Sequence, residues 1–247
     1  MASEVTGSMI DLHCHLLPGV DDGAETLEQA LTLARIAVDD GIRTAVLTPH
    51  VHPGRYDNIR SNLLGRLAAF QVELKKNGIP LEVRLGGEVR LCIEVLDLVQ
   101  EGEVPFLGCV GGYHIMLLEL PHQVVPVGTL QLVERLMGMN IRPLIAHPER
   151  NKAIMAQPER MGAFVDAGCW LQLTAGALTG QFGAAARATA FNLLEQGWVH
   201  VMATDAHNQR DRPPLLSQGR AVAASVIGED LATQMVRERP AQIVGLA

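Results

Sequence analysis

Long hydrophobic runs are missing from this chain of 247 residues, and so is a recognisable targeting segment. The longest apolar stretches are of strand length and are interrupted by polar residues, so none should span a bilayer. The first eight residues, MASEVTGS, have neither the basic start nor the apolar run of a secretory signal. We therefore expect a cytoplasmic protein with no membrane insertion, in which residues 1–8 are an N-terminal tail or a cloning remnant.

Positive charge is also scarce, because 27 acidic residues outnumber 20 basic ones and give a formal net charge of −7. A general nucleic-acid-binding protein needs a basic surface to neutralise phosphates, so this class is disfavoured. Net charge does not exclude a local cationic pocket for one phosphate group. We therefore expect no nucleic-acid partner.

Cysteine is rare, with four residues and none of the close CxxC spacing that metal and redox sites use. We expect Cys14, Cys92, Cys109 and Cys169 to be free thiols in a reducing compartment. The chain also lacks a Pro/Ser-rich linker, a block of like charge and an internal repeat. Residues 9–247 are therefore predicted to form a single domain.

What the chain does contain is an alternation of short β-type runs with helical segments, and 48% hydrophobic residues to fill a core. Strands are predicted at 9–13, 44–48, 82–85, 115–120, 142–146, 169–173 and 199–203. Helices are predicted at 25–40, 58–76, 128–139, 158–167, 183–196, 213–226 and 229–238. This order predicts an α/β fold with parallel strands, and seven units without a GxGxxG turn favour a (β/α)7 barrel of the TIM-barrel type.

Ionisable residues fall at or just after the ends of most of these strands. They are His13, His15, Asp22, His50, Glu88, Glu119, His147, Asp205 and His207. The carboxyl ends of barrel strands open onto one face, so these side chains are expected to converge. Crowded carboxylates need compensation, and divalent metal ions supply it. Mixed N and O ligands suit Zn, Mn or Fe, the carboxylates favour Mn or Fe, and nine ligands would serve two or three ions.

Taken singly, most of these residues have ordinary interpretations, since a lone histidine at a strand end is usually structural. The HxH pair of His13 and His15 is a stronger signal, but the joint pattern carries the metal interpretation. Arg150 and Arg212 follow two of the strand ends, and a guanidinium beside metal ions suits a phosphate group. The alternative is that both arginines are exposed surface residues.

Seven segments resemble the PHP superfamily and, within it, the manganese-dependent protein-tyrosine phosphatases of bacterial capsule and exopolysaccharide clusters, the CpsB/YwqE type. The segments are MIDLHCHLLPGVDDGAETLEQAL, TAVLTPHVHPGRYDN, GGEVRL, LLELP, AHPERN, TAGALTGQFG and TDAHNQRDRPP. They occur in order and span most of the chain. HxH is common across the superfamily, whereas the combination of LLPGVDDG, AHPER, LTGQFG and TDAHN is typical of this type.

The resemblance implies a distorted barrel with a trinuclear site, for which Mn²⁺ is the expected metal. His13, His15, Glu88 and Asp205 would hold one ion, and Glu88 would bridge to a second ion held also by Glu119 and His147. Asp22, His50 and His207 would hold the third, and Arg150 and Arg212 would contact phosphate. The implied reaction is hydrolysis of phosphotyrosine on a cognate tyrosine autokinase, met transiently. A homo-oligomer is left open.

A cysteine-based phosphatase needs an arginine six positions after its cysteine, and those positions here hold Val20, Leu98, Ile115 and Ala175. Metal-activated water is therefore the consistent nucleophile. Three alternatives stay open: a small-molecule phosphatase such as a histidinol-phosphate phosphatase, a non-catalytic kinase-binding regulator, and a nuclease or proofreader. A deep closed pocket would favour the first, and loss of a ligand the second.

Overall fold

The structure, a computed structural model, describes residues 8–247, so most of the predicted tail lies outside the described residues. The strands are β1 Met9–Cys14, β2 Ile42–Leu47, β3 His50–Val51, β4 Glu82–Leu85, β5 Glu88–Arg90, β6 Gly108–Val110, β7 Tyr113–Glu119, β8 Ile141–Ala146, β9 Trp170–Thr174 and β10 Val199–Ala203. The helices are α1 Leu27–Asp39, α2 Arg60–Lys76, α3 Val95–Gln100, α4 Thr129–Gly138, α5 Lys152–Ala156, α6 Met161–Asp166, α7 Ala175–Leu178, α8 Gly183–Glu195, α9 Ser217–Ile227, α10 Glu229–Gln234 and α11 Glu238–Val244. None of the helices in this part of the chain combines the length and the apolar character needed to cross a membrane.

The strands form two largely parallel sheets, which confirms the predicted mixed α/β fold with parallel strands. One sheet has the order β1-β2-β4, and the other runs β10-β9-β8-β7-β5-β3 with β6 antiparallel to β7. The end of β1 also meets the chain that follows β10, because the amide of Asp205 donates to the carbonyl of His13 over 2.8 Å. The carboxyl ends of strands from both sheets therefore lie side by side.

Two predicted strand ends are wrong in detail, because His50 and Glu88 begin short strands instead of ending longer ones. Pro49 lacks an amide hydrogen and interrupts the second strand, and Gly86 and Gly87 interrupt the third. After both interruptions the chains pair again, with His50 opposite Glu88. The interruptions therefore place the His50 imidazole and the Glu88 carboxylate on neighbouring strands, beyond the ends of β2 and β4.

The core lies on both faces of the central strands. Leu117, Leu118, Leu144 and Ile145 in β7 and β8 are all fully buried. Successive side chains point to opposite faces of a sheet, so burial of consecutive residues means that helices or other strands cover both faces. This explains why the strands read as nearly continuous apolar runs, and why a polar side chain near a strand end stands out.

One buried polar link joins β1 to the segment after β10. The Asp11 carboxylate accepts from the amide of Thr204 over 3.0 Å and from the hydroxyl of the same residue. Asp11 is 1% exposed, and burial raises the pKa of its carboxyl to about 6 despite these bonds. The link fixes the ends of two strands from different sheets just before His13 and Asp205.

We expect Thr204→Val to lower the free energy of unfolding by about 1–3 kcal/mol, because the isosteric change leaves a buried Asp11 oxygen without its donor. Urea denaturation measures this value. Thr32→Val is the matched control, since its hydroxyl bonds only to the Glu28 carbonyl within α1, and it should stay within about 0.5 kcal/mol of wild type. Equal stability of both variants would contradict a supporting role for the link.

Candidate metal centre

All nine residues predicted as metal ligands lie in one continuous cluster. Three groups have ligand atoms within 4.8 Å of one another: His15, Asp22, His50 and His207; His13, His15, Glu88 and Asp205; and His50, Glu88 and Glu119. His147 joins the cluster through Glu88, because its Nε2 lies 2.7 Å from Glu88 Oε1. Residues nearly two hundred positions apart in sequence therefore face one small volume.

Two of these residues sit in a strained backbone conformation. His147 follows β8 with a φ of 34°, and Asp205 follows β10 with a φ of 52°. Left-handed φ values cost a non-glycine residue of order 1–3 kcal/mol, and such strain clusters at functional sites. The turn at each strand end directs the side chain into the cluster, which is what a ligand position requires.

The first two histidines are oriented by partners behind them. His13 Nδ1 lies 2.9 Å from the side-chain oxygen of Gln172, and His15 Nδ1 lies 2.6 Å from Asp21 Oδ2. Both partners accept hydrogen bonds, so each Nδ1 carries its proton and each Nε2 faces the cluster. This is the usual arrangement behind a metal-ligating imidazole.

His207 follows the same rule with a main-chain partner. Its Nδ1 lies 3.0 Å from the carbonyl oxygen of Asp205, and its buried Nε2 makes no hydrogen bond, although Asp22 Oδ1 lies 3.3 Å away. The buried Asp205 Oδ1 is also without a hydrogen bond, although His13 Nε2 lies 3.2 Å away. Buried polar atoms that are left unsatisfied within one cluster are consistent with a bound ion. Imidazole nitrogens together with carboxylate oxygens are a set of ligands that fits a divalent transition metal.

Asp21 and Gln172 were not predicted from the sequence as residues of the site. Asp21 also accepts from the amide of His50 over 3.0 Å, so one carboxylate orients residues from two segments. Its signal was the doubled aspartate of LLPGVDDG, of which only Asp22 was assigned. Gln172 is a fully buried amide side chain between two leucines of the strand WLQLT, and that contrast could have identified it.

Gly23 closes the same motif for a steric reason. A Cβ atom at this position would lie 2.1 Å from the carbonyl oxygen of His15 and 2.5 Å from its Cβ. No other residue fits without moving His15. The glycine therefore lets the loop that carries Asp21 and Asp22 pack directly against the HxH segment.

The cluster strongly favours positive charge. Burial lowers the pKa of His13, but the carboxylates of Asp205 and Glu88 more than offset this and raise it to about 10. Burial also lowers the pKa of His50, and its acidic neighbours, Glu88 first, raise it to about 11. Protons on these rings would balance the buried carboxylates, and a divalent ion bound between them would supply the same charge.

Two other imidazoles are held neutral. Burial and the Arg150 guanidinium lower the pKa of His147 to about 3. Burial and the neighbouring His15 lower the pKa of His207 to about 4. A metal binds the unprotonated imidazole, so these two rings are ready to act as ligands at neutral pH.

Both predicted arginines reach the cluster, which contradicts the alternative that they are surface residues. Arg150 Nη1 lies 2.7 Å from Asp205 Oδ2, and Arg212 pairs with the same oxygen. Their side chains are 13% and 24% exposed. One oxygen of Asp205 thus faces imidazoles and the other faces guanidinium groups. The site combines ligands for cations with groups that bind anions.

The cluster opens to the surface beside Glu119. A cleft of about 140 Å³ is lined by Asp22, His50, His52, Arg55, Tyr56, Arg90, Glu119 and His122. Arg90 Nη1 lies 2.9 Å from Glu119 Oε2 and holds that carboxylate at the edge of the site. His122 is 60% exposed at the rim. The cleft therefore connects Asp22, His50 and Glu119 of the centre with the surface.

A family model for capsular polysaccharide synthesis proteins, CpsB/CapC, matches residues 9–245. Tyrosine-protein phosphatase YwqE of Bacillus subtilis (strain 168) is 37% identical over 204 residues, which cover 83% of this chain and 79% of YwqE. Tyrosine-protein phosphatase CpsB of Streptococcus agalactiae serotype V is 27% identical over 241 residues, covering 96% of this chain and 98% of CpsB.

Solved structures agree with these sequence matches. A structure from work on YwqE of Bacillus subtilis and CpsB of Streptococcus pneumoniae, described as metal-dependent tyrosine phosphatases, has a TM-score of 0.89. It is 33% identical to this chain, with coverage of 96% of this chain and 95% of the other. An organophosphorus hydrolase variant from Deinococcus radiodurans has a TM-score of 0.60 at 15% identity, covering 98% and 94%, and this likeness concerns the fold alone.

We expect Asp21→Ala to weaken binding of a divalent metal about 10- to 100-fold, because His15 loses the acceptor that fixes its ring. Calorimetric titration with Mn²⁺ measures the affinity, and circular dichroism checks folding. Asp166→Ala, at an exposed position in α6, serves as the control and should bind as wild type does. Unchanged affinity in the folded Asp21 variant would show that His15 needs no such support.

Proposed function

The chain belongs to the CpsB/CapC family of capsular polysaccharide synthesis proteins, and from this membership and the site we propose that it is a metal-dependent protein-tyrosine phosphatase. The observation that carries the proposal is the pairing of a carboxylate–imidazole cluster with two arginines on one buried carboxylate, Asp205. Relatives named as tyrosine-protein phosphatases and a metal-dependent structural relative support the same reaction.

We propose Mn²⁺ as the metal, with up to three ions. His13, His15, Asp22, His50, Glu88, Glu119, His147, Asp205 and His207 would hold them. The unsatisfied ligand atoms and the neutral imidazoles described above support this assignment, and the share of carboxylates favours Mn or Fe over Zn. We further propose that residues 9–247 form one domain, a distorted (β/α)7 barrel of PHP type. The hydrogen bonds between β1 and the segment after β10 are the contacts that would close it.

In the proposed reaction the protein positions a phosphate ester against the metal centre. The nine candidate ligand residues would hold divalent ions, which would lower the pKa of a bound water to give a nucleophile at neutral pH and would stabilise negative charge. Arg150 and Arg212 bind phosphoryl oxygens and stabilise the charge that develops on them during in-line attack. The leaving phenol has a reference pKa of about 10, so it needs less protonation than an alkyl alcohol.

The exposed rim of the cleft favours a protein substrate over a free metabolite, because a second macromolecule could contact the rim residues. A small-molecule phosphatase would be expected to enclose its substrate, whereas the rim here exposes Arg55 and His122. The complete set of nine ligand residues argues against a non-catalytic regulator. We propose that the partner is a phosphotyrosine-bearing tyrosine kinase of capsule or exopolysaccharide synthesis, met transiently in the cytoplasm.

We expect the Mn²⁺-loaded protein to hydrolyse both p-nitrophenyl phosphate and a phosphotyrosine peptide. A chelator should abolish turnover of both, because the nucleophile depends on the metal, while thiol alkylation should leave it unchanged. Release of p-nitrophenol and of inorganic phosphate measures the two rates. A phosphoserine peptide is the control substrate. Metal-loaded protein that hydrolyses neither aryl phosphate would contradict the proposed function.

We expect Arg150→Ala to lower kcat/KM by about 10²- to 10³-fold while the metal content stays at the wild-type level, because the group that stabilises phosphoryl charge is lost and the ligands remain. Steady-state kinetics and elemental analysis give the two quantities. Arg66→Ala, on the exposed face of α2, is the control. His147→Ala should instead lose both metal and activity. Wild-type turnover by Arg150→Ala would place that arginine outside the reaction.

A further inference from the structure

The segment 174–183, TAGALTGQFG, contributes no side chain to the metal cluster, yet it contacts both of the loops that carry the arginines. We propose that Gln181 and Phe182 are positioning residues that hold Arg212 and Arg150 in place for the phosphoryl group. This inference rests on the proposed function, because it concerns how the same site binds phosphate. Segment 174–183 would thus have a role in the site although it supplies no candidate metal ligand.

Phe182 supports Arg150 from one side. The guanidinium carbon of Arg150 lies 4.7 Å from the centre of the Phe182 ring, in the geometry of a cation–π contact. At its tip the same guanidinium meets Asp205 Oδ2 at 2.7 Å. The ring contact fixes the plane of the Arg150 guanidinium, and the ion pair fixes its end. The long side chain is therefore held in one position. Because Arg150 is largely buried, the cation–π contact is stronger than it would be in water.

Gln181 supports the loop of Arg212. Its side chain is exposed but donates from Nε2 to the carbonyl oxygen of Asp211, the residue directly before Arg212. The main-chain amides of Asp211 and Arg212 are held as well, because Asn208 Oδ1 accepts from them over 2.7 Å and 3.3 Å. The main chain that leads into Arg212 is thus held on two sides, by residues from two different loops.

The supporting segment is itself tightly packed. The amide of Gln181 donates to the carbonyl of Gly176 over 2.9 Å. A Cβ atom on Gly176 would lie 1.9 Å from Gln181 Oε1 and 3.3 Å from Phe182 Cε2, so a side chain at this position would displace the Gln181 amide from its observed place. Arg187 in α8 donates from Nε to the carbonyl of Leu178 over 3.0 Å and anchors the segment to a long helix.

Two consecutive side chains of one packed segment therefore support two arginines from separate loops. Both arginines meet the same oxygen of Asp205, so a displacement of one removes a neighbour of the other. Holding them before phosphate arrives reduces the ordering that binding must impose. The segment acts as a common support for the pair of guanidinium groups.

The test uses the Mn²⁺-loaded full chain and inorganic phosphate as a competitive inhibitor of p-nitrophenyl phosphate turnover. Phe182→Leu removes the aromatic face and keeps apolar bulk, and Gln181→Met keeps length and removes the donor. Each variant should raise the Ki of phosphate about 3- to 30-fold, with unchanged Mn²⁺ content and circular dichroism. Phe182→Tyr should restore most of the affinity that Phe182→Leu loses.

Tyr113→Leu is the matched control, because it also removes an aromatic ring from an arginine, with the Arg142 guanidinium carbon 4.6 Å from the ring centre. Tyr113 lies at the start of β7, at the opposite end of the strand from Glu119. This variant should leave the Ki of phosphate at the wild-type value even where its melting temperature falls.

A double-mutant cycle separates positioning from a general structural role. In an Arg150→Ala background, Phe182→Leu should cause no further rise in Ki, because the side chain that it supports is gone. Wild-type turnover is measured first, and its absence would count against the proposed function. With wild-type turnover present, wild-type Ki values in both single variants would overturn the positioning role. An undiminished Phe182→Leu effect in the Arg150→Ala background would overturn it as well.

Discussion

The charge of two buried carboxylates, Glu88 and Asp205, is the constraint on which the rest of this structure depends. Both side chains are essentially inaccessible to water, and burying a charge without compensation costs several kcal/mol. The chain compensates them with imidazoles on one side and guanidinium groups on the other. The left-handed turns after β8 and β10, the acceptors behind His13 and His15, and the close packing at Gly23 all serve this compensation. A site built in this way is suited to a cation and an anion side by side, as hydrolysis of a phosphate ester by metal ions requires.

The sequence predicted well those features that depend on residues close together along the chain. Consecutive apolar residues such as Leu117 and Leu118 predicted buried strands, and ionisable residues at the ends of most strands predicted the cluster, because parallel strands share one carboxyl edge. The short strands that begin at His50 and Glu88 were missed. They exist only because Pro49 and the two glycines interrupt longer strands and the chains then pair again, which depends on a neighbour that local periodicity does not reveal.

The partners behind the ligands were harder to predict for a related reason. Gln172 and Asp21 matter through contacts with His13 and His15 that are set by tertiary structure, and their residue types alone are compatible with many roles. Gln181 and Phe182 are similar, since neither an exposed glutamine nor a phenylalanine in a glycine-rich loop indicates that an arginine rests against it. The types of the predicted ligand residues and their order along the chain can be read from the sequence, whereas the contacts that support them become visible only when distant segments meet.

The relation to known proteins separates fold from chemistry. Hydrolases at about 15% identity share the fold at a TM-score of 0.60, so the fold alone does not specify the substrate. The matched metal-dependent phosphatase structure at 33% identity and the site geometry together carry the functional proposal. In this chain the arginines on Asp205 and the exposed rim of the cleft beside Glu119 are the features that point from metal-dependent hydrolysis towards phosphate esters on proteins.

The most direct test of this account is anomalous X-ray diffraction from crystals of the full chain grown with Mn²⁺, recorded on both sides of the manganese absorption edge. The account predicts anomalous peaks within the cluster, up to three in number, each within bonding distance of the ligand atoms of Glu88, Asp205, His207 or their neighbours. Full-length, folded protein that shows no manganese peak in this cluster, or peaks only at surface carboxylates elsewhere, would contradict it.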